Sequence, residues 1–378
     1  MNAVLGGVLS RMRALPLTRA QALVTAAAII LCADIGILAA ASANGMSPLA
    51  GMTAEAAMDV VTPFENRLVT TPPSPAAAPP APAAQPAPAP APAPPAPAPA
   101  PAPAPPAETR IPLVKADPRL ASYAGLSTWV DLWDTSLSPE RQVDIAAASG
   151  VQTIFVQSAR FNSPGDIHDP LRLSVAIDRA KDRGLKVMLW YIPDFLDEAK
   201  DLRRSLAAIT FTSQKGRRAD TFGLDIETEK QRDVGERTAR LIRLSQRIRH
   251  AAGPAYPLSA IVLPPLQLDM RKSWWPGFPW KEIAPFYDVW IPMSYSSYRG
   301  TDPETTYRWN LLNIVEMRNR VGNPNLNVHM AGGIADNLPR VDAFVAAVRD
   351  GLCLGGGLYD LHTTRPDAWP VLRQMRAE

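Results

Sequence analysis

The sequence predicts an α/β protein, a (β/α)8 TIM barrel carried behind an N-terminal transmembrane or signal helix and a Pro/Ala-rich linker. Three observations predict it. Eight short apolar runs, rich in β-branched and aromatic residues, recur between residues 126 and 362. Amphipathic stretches of helical period separate them, and that alternation over this length has the strand count and size of a closed barrel. No glycine-rich dinucleotide fingerprint follows an early strand, and a doubly wound open sheet has no reason to stop at eight strands of this spacing.

Along the chain, residues 1–21 form a basic segment with Arg11, Arg13 and Arg19. Residues 22–43, ALVTAAAIILCADIGILAAASA, are apolar over a length that crosses a bilayer, interrupted by Asp34. The arginines before that run keep the N-terminus cytoplasmic. Two readings stay open, an uncleaved signal anchor or a signal peptide cut near ASANG at 41–45. Either one exports the remainder, so the expected location is the cell membrane with the C-terminal domain outside, or secretion. No lipobox surrounds Cys32, since Leu31 stands where a small residue is needed. Residues 44–71 are irregular, and 72–107 are almost wholly Ala and Pro. Alternate residues there lack an N–H, so the tract is a semi-rigid polyproline II spacer, reaching on the order of 100 Å at ~3.1 Å per residue.

All nine tryptophans and all eight tyrosines lie beyond residue 120, which makes 109–378 the globular block. Its strands are expected at 126–133, 151–158, 185–192, 221–227, 257–264, 288–295, 326–332 and 355–362, with helical segments such as 139–149, 171–183, 230–252, 304–320 and 340–350. Ser138 followed by Pro139 marks one helix start. A formal charge of +3, with no basic run interleaved with aromatics, gives no sign of nucleic-acid binding. Cys32 and Cys353 are not expected to pair, and a large core can stand in for disulfides. Four scattered histidines lack metal-ligand spacing, so no metal and no cofactor are expected. The domain is expected to act as a monomer.

In a barrel of this kind the site is built at the C-terminal ends of the strands. Those ends carry Asp131, Trp133 and Asp134; Ser158, Arg160 and Asn162; Trp190, Tyr191 and Asp194; Asp225, Glu227 and Glu229; Met293, Tyr295 and Tyr298; Asp336; and Tyr359, Asp360 and His362. Aromatic faces stack on pyranose rings, and carboxylates do acid/base work on a glycosidic oxygen. The substrate-binding candidates are Asp131, Trp133, Arg160, Trp190, Tyr191, Trp275, Tyr298 and Tyr359, although Trp129, Trp190 and Trp290 also suit packing within strands. The WWPGFPW stretch at 274–280 reads equally as a wall of a saccharide cleft or as a hydrophobic plug.

The fourth run, DTFGLDIETE at 220–229, is the densest in acids. In register with D-x-x-D-x-D-x-E it resembles the chitinase-like (family eighteen) glycoside hydrolases and their barrel relatives. Two alignments fit: Asp220, Gly223, Asp225 and Glu227, or Phe222, Asp225, Glu227 and Glu229. MSYS at 293–296 is similar to that family's sixth-strand M-x-Y-D, with Ser296 where an aspartate would stand, and Tyr359 replaces an eighth-strand tryptophan. The resemblance spans most of 120–365 and implies a polysaccharide or peptidoglycan-type glycan as partner, with a strand-four glutamate as general acid. Strand period places Asp225, Glu227 and Glu229 on one side. Thr228 with Gln231 reads as a capping box, which would put Glu229 in a helix's first turn. Glu227 is then the leading catalytic candidate, with Asp225, Tyr295, Asp360 and Glu229 beside it. Strand seven carries no nucleophilic glutamate. That leaves an inverting pair completed by Asp131, Asp194 or Asp360, a substrate-assisted route in which Asp225 and Tyr295 position an acetamido group, or a barrel that binds glycan without cutting it.

Overall fold

The computed structural model describes residues 117–333 and 336–377. The expected membrane helix at 22–43 and the linker at 72–107 lie outside the described residues. Among the described residues, no helix is long and apolar enough to cross a membrane. Eight parallel strands close into a barrel in sequence order: β1 (Gly125–Val130), β2 (Thr153–Arg160), β3 (Lys186–Ile192), β4 (Thr221–Ile226), β5 (Leu258–Val262), β6 (Val289–Ser294), β7 (His329–Gly332) and β8 (Gly355–Leu358). Each falls within the run that predicted it, apart from β1, which starts one residue before its run at Gly125, and β2, which continues two residues past its run to Arg160.

Six longer helices follow the strands: α1 (Pro139–Ala148), α2 (Pro170–Asp182), α3 (Glu198–Thr210), α4 (Val234–Ala252), α7 (Pro303–Val321) and α8 (Leu338–Asp350). Between β5 and β6 stand only the short α5 (Pro265–Met270) and α6 (Trp280–Ile283), and α9 (Trp369–Leu372) follows β8. Each of the six begins at a short polar cap: Ser138, Asp169, Asp197, Asp233, Asp302 and Asn337 each accept a bond from a first-turn N–H. These caps set the helix N-termini at the strand-exit end. The start of α4 differs from expectation. Thr228 turns its hydroxyl to Pro193 O at 2.7 Å, and the helix opens five residues later, on Asp233 with Glu236. Glu229 therefore stands in a loop.

Alternation assigns the faces. Trp129 meets Phe155 edge-on at 4.9 Å and Trp190 at 5.7 Å inside the lumen. Ser259 donates to Met188 Sδ at 3.5 Å in the same space, next to Gly223. Gly223, Asp225 and Glu227 share that inner side, while Phe222, Leu224 and Ile226 pack outward under the helices. Trp290 is an outward residue, with Trp280 tilted against it at 5.7 Å and Tyr287 edge-on at 6.4 Å.

The lower end is shut by a 3-10 turn, Pro118–Tyr123, ahead of β1. The Tyr123 hydroxyl bonds Thr221 Oγ1, and His329 bridges Tyr123 O and Ser127 Oγ, both at 2.7 Å. A carbonyl only accepts, so His329 Nδ1 carries the proton and Nε2 accepts from Ser127. At the seam, a methyl group on Gly355 would lie 2.1 Å from Gly125 O, and one on Gly357 2.2 Å from Ser127 O. Only glycine lets β8 approach β1 this closely.

Candidate active site at the barrel mouth

β4 ends at Ile226, so Glu227 is the first residue past the ladder and follows the lumen face directly. Asp225 lies one step below it, buried, with Oδ1 lacking any hydrogen-bond partner among the described residues. Its carboxyl is held well above the usual range, first by burial and then by the Glu227 charge, while the Arg160 guanidinium pulls the other way. Two carboxyls this close in a dry lumen do not both ionise readily, so the pair retains a proton. Tyr295, at the exit of β6, is half-buried and feels the charge of the same pair. Burial, then Glu227 and Asp225, then Tyr298 and Asp360 raise its hydroxyl far above its ordinary value. Asp220 serves the strand's entry instead, accepting from Lys181 Nζ at 2.5 Å and from Val187 N at 2.6 Å. Of the two motif registers, the one ending on Glu227 is therefore the one that coincides with the strand exit.

Across the opening, β1 and β8 bring three further acids together. Asp131 accepts from the Tyr359 hydroxyl at 2.6 Å and from Trp133 N at 2.7 Å. Oxygens of Asp131, Asp134 and Asp360 lie within 4.8 Å of one another. Burial, reinforced by Asp131 and Asp360, pushes Asp134 up to about 8. Burial and Asp131 push Asp360 up to about 6, against bonds from Thr363 that favour its charge. An all-carboxylate set is the kind a hard cation takes. The Tyr359 ring joins the two halves of the mouth, 5.9 Å from Tyr295 and 6.0 Å from Trp129. On the rim, Trp133 is 50% and Tyr298 42% exposed, and the Arg160 guanidinium lies 5.6 Å from the Trp133 ring.

The mouth thus unites Asp225, Glu227, Tyr295, Tyr359, Asp131, Asp360, Arg160, Trp133 and Tyr298. Other candidates stand elsewhere. Tyr191 points outward and donates to Asp201 of α3 at 2.5 Å, so it belongs to the barrel wall. Trp190 is a lumen residue, but it is buried against Trp129 as packing under the mouth. Trp275 is buried between α4 and its own loop, donating Nε1–H to Thr238 at 2.9 Å and meeting Phe278 at 5.1 Å. The plug reading of WWPGFPW therefore describes it better than a cleft wall. Glu229 lies beyond the strand near Arg237, and Asp194 is tied to Lys200 at 2.6 Å. Asp134 was visible in sequence only as a strand-end acid; its neighbour across the seam, Asp360, gives it meaning.

No family model matches the chain, and no curated protein matches it. Solved structures do. The spore cortex-lytic enzyme SleL of Bacillus cereus superposes with a TM-score of 0.52 at 9% identity, over 67% of this chain and 74% of that one. A family GH18 chitinase from Cycas revoluta, in complex with allosamidin, gives 0.51 at 11%, over 66% and 99%. A chitinase from Bacteroides thetaiotaomicron gives 0.50 at 13%, over 67% and 96%. At such identities the likeness shows the fold: this chain is a (β/α)8 barrel of the architecture those hydrolases use.

Proposed function

We propose that the protein is a glycoside hydrolase acting at the barrel mouth, with Glu227 as general acid. The observation that carries the reading is the buried Asp225 beside Glu227 on the lumen face at the exit of β4, with Tyr295 next to both. In this reading Glu227 gives a proton to the glycosidic oxygen as the bond to the leaving sugar breaks. The proton that Glu227 delivers is the one the pair shares, and the Asp225 carboxylate, accepting from the amide N–H, holds with the Tyr295 hydroxyl a 2-acetamido group whose carbonyl oxygen attacks the anomeric carbon from the opposite face. The cyclic intermediate is then opened by water, and the Glu227 carboxylate takes up the proton that water loses. Trp133 and Tyr298 offer exposed faces for flanking rings. The substrate class is an N-acetylhexosamine glycan of the envelope or extracellular matrix. The apolar run at 22–43 holds the barrel to the membrane, and the Pro/Ala tract spaces it from the surface.

The test is reducing-end release from a panel that includes tetra-N-acetylchitotetraose, peptidoglycan strands and glucans without an acetamido group. Hydrolysis confined to acetamido sugars and lost in Glu227→Gln is the expected result. Undiminished hydrolysis by Glu227→Gln overturns the assignment of the acid, and cleavage of plain glucans overturns the acetamido route. Binding across the panel without any product would make the barrel a glycan-binding module instead.

A further inference from the structure

We propose that Trp274 is a positioning residue for Glu227, acting through that residue's backbone carbonyl and itself held in place by Arg237. This rests on the reading of Glu227 given above and adds the residues that hold its backbone. Because β4 stops at Ile226, the Glu227 carbonyl lies past the last strand-ladder bond. The Trp274 indole N–H, arriving from the loop after β5, donates to it at 3.3 Å. On the next residue the Thr228 hydroxyl donates to Pro193 O at 2.7 Å, at the exit of β3. Residues 227 and 228 are thus gripped by the loops on either side, and the direction in which the Glu227 side chain leaves the backbone is set by them.

The indole needs its own support, and it has it. Arg237, a buried residue of α4, donates Nη2–H to Trp274 O at 2.5 Å. Its guanidinium also lies over the Trp275 ring at 4.3 Å. Burying an arginine is costly unless its donors are used, and this one spends a donor on the backbone of the residue that holds Glu227. Trp275 in turn fixes the loop to α4 through Thr238 at 2.9 Å and to Phe195 at 5.8 Å. Trp274, with Arg237 and Trp275 behind it, is therefore a clamp on the strand-four exit. A displacement of the acid by a fraction of an ångström is enough to misalign proton transfer.

The experiment compares Trp274→Phe, which keeps a ring and removes only the N–H, with Phe278→Leu, which loosens the same loop without touching the Glu227 carbonyl. Two readouts are taken on the full chain. One is the titration of the Glu227 carboxyl, followed by NMR of protein carrying carbon-13 at glutamate carboxyls, with Glu227→Gln identifying the signal. The other is kcat and KM on tetra-N-acetylchitotetraose. Expected for Trp274→Phe is a titration midpoint moved by roughly half a pH unit or more, and kcat lower by about tenfold with KM nearly unchanged. Arg237→Met should move both in the same direction, and Phe278→Leu should lower the unfolding temperature alone. A Glu227 titration unchanged in Trp274→Phe, or shifted equally by Phe278→Leu, overturns the proposal. Failure of the function reading looks different: Glu227→Gln would then be as active as the parent, or the tetrasaccharide would go uncut, while the titration comparison still decides the clamp.

Discussion

Two buried polar clusters, one at each end of this barrel, are built in opposite ways. At the lower end the group around His329 is matched: His329 gives its proton to Tyr123 O and takes one from Ser127, and Tyr123 is bonded to Thr221. At the mouth like charges are crowded together. Asp225 lies under Glu227 with one oxygen unpaired, and Asp131, Asp134 and Asp360 converge from two strands. A matched network stabilises a fold and leaves nothing for a ligand to do. A crowded one is held in place by the rest of the core and keeps protons that a substrate can receive. The comparison teaches where to look for chemistry: at the cluster that the fold has to hold together.

The contrast also has a sign in pH. Burial pushes His329 down to about 4 from an ordinary 6.5. The unfolded chain then binds a proton that the folded chain refuses, so this group's contribution is present above 6.5 and is lost as the pH falls toward 4. Asp134 runs the other way, pushed up from 3.8 to about 8. Here the folded chain keeps a proton that the unfolded chain releases, so the contribution is full below 3.8 and fades as the pH rises through 8.

Four changes test this picture. The largest effect belongs to Glu227→Gln, expected to cut turnover on a responsive glycan by ~10²–10⁴-fold while circular dichroism and the unfolding temperature stay those of the parent. His329→Ala comes next. It leaves Ser127 and Tyr123 O unpaired and opens a hole among packed rings, and urea unfolding should show a loss of about 2–4 kcal/mol. If turnover per folded molecule fell as far as stability did, the division of labour between the two ends would be wrong. Asp134→Asn should raise the unfolding temperature by a few degrees at pH 8 and leave it unchanged at pH 4; equal effects at both pH values would mean that crowding is not what raises Asp134. Smallest is Glu229→Gln, which should change kcat/KM by less than about twofold, since its carboxyl stands past the strand exit.

The barrel itself was legible because alternation of apolar runs and helical periods survives any detail of loop structure, and all eight strands overlap their predicted runs. Asp225 and Glu227 were legible because a period of two leaves no choice of side once the strand is placed. The same rule speaks against Tyr191: it follows Trp190 directly, so the two cannot share a face, and it is Trp190 that points inward. Glu229 was drawn into a helix by the Thr228–Gln231 pattern, but an equally good cap, Asp233 with Glu236, stands five residues on, and local sequence does not rank two valid caps. The role of Trp274 and the meeting of Asp134 with Asp360 depend on contacts between residues far apart in the chain. Neither has a local signal.

The glycine seam between β8 and β1 sets the spacing of that second group of acids. Asp131 leaves β1 and Asp360 follows β8, so the separation of the two carboxyls is inherited from how nearly Gly355 and Gly357 let the strands touch. A methyl group at 357 would act as a shim under one jaw of a vice, easing Tyr359 away from Asp131 and widening the gap between the acids. The spacing of the acids at the opening is in this sense gauged several residues below it, by atoms that are not there.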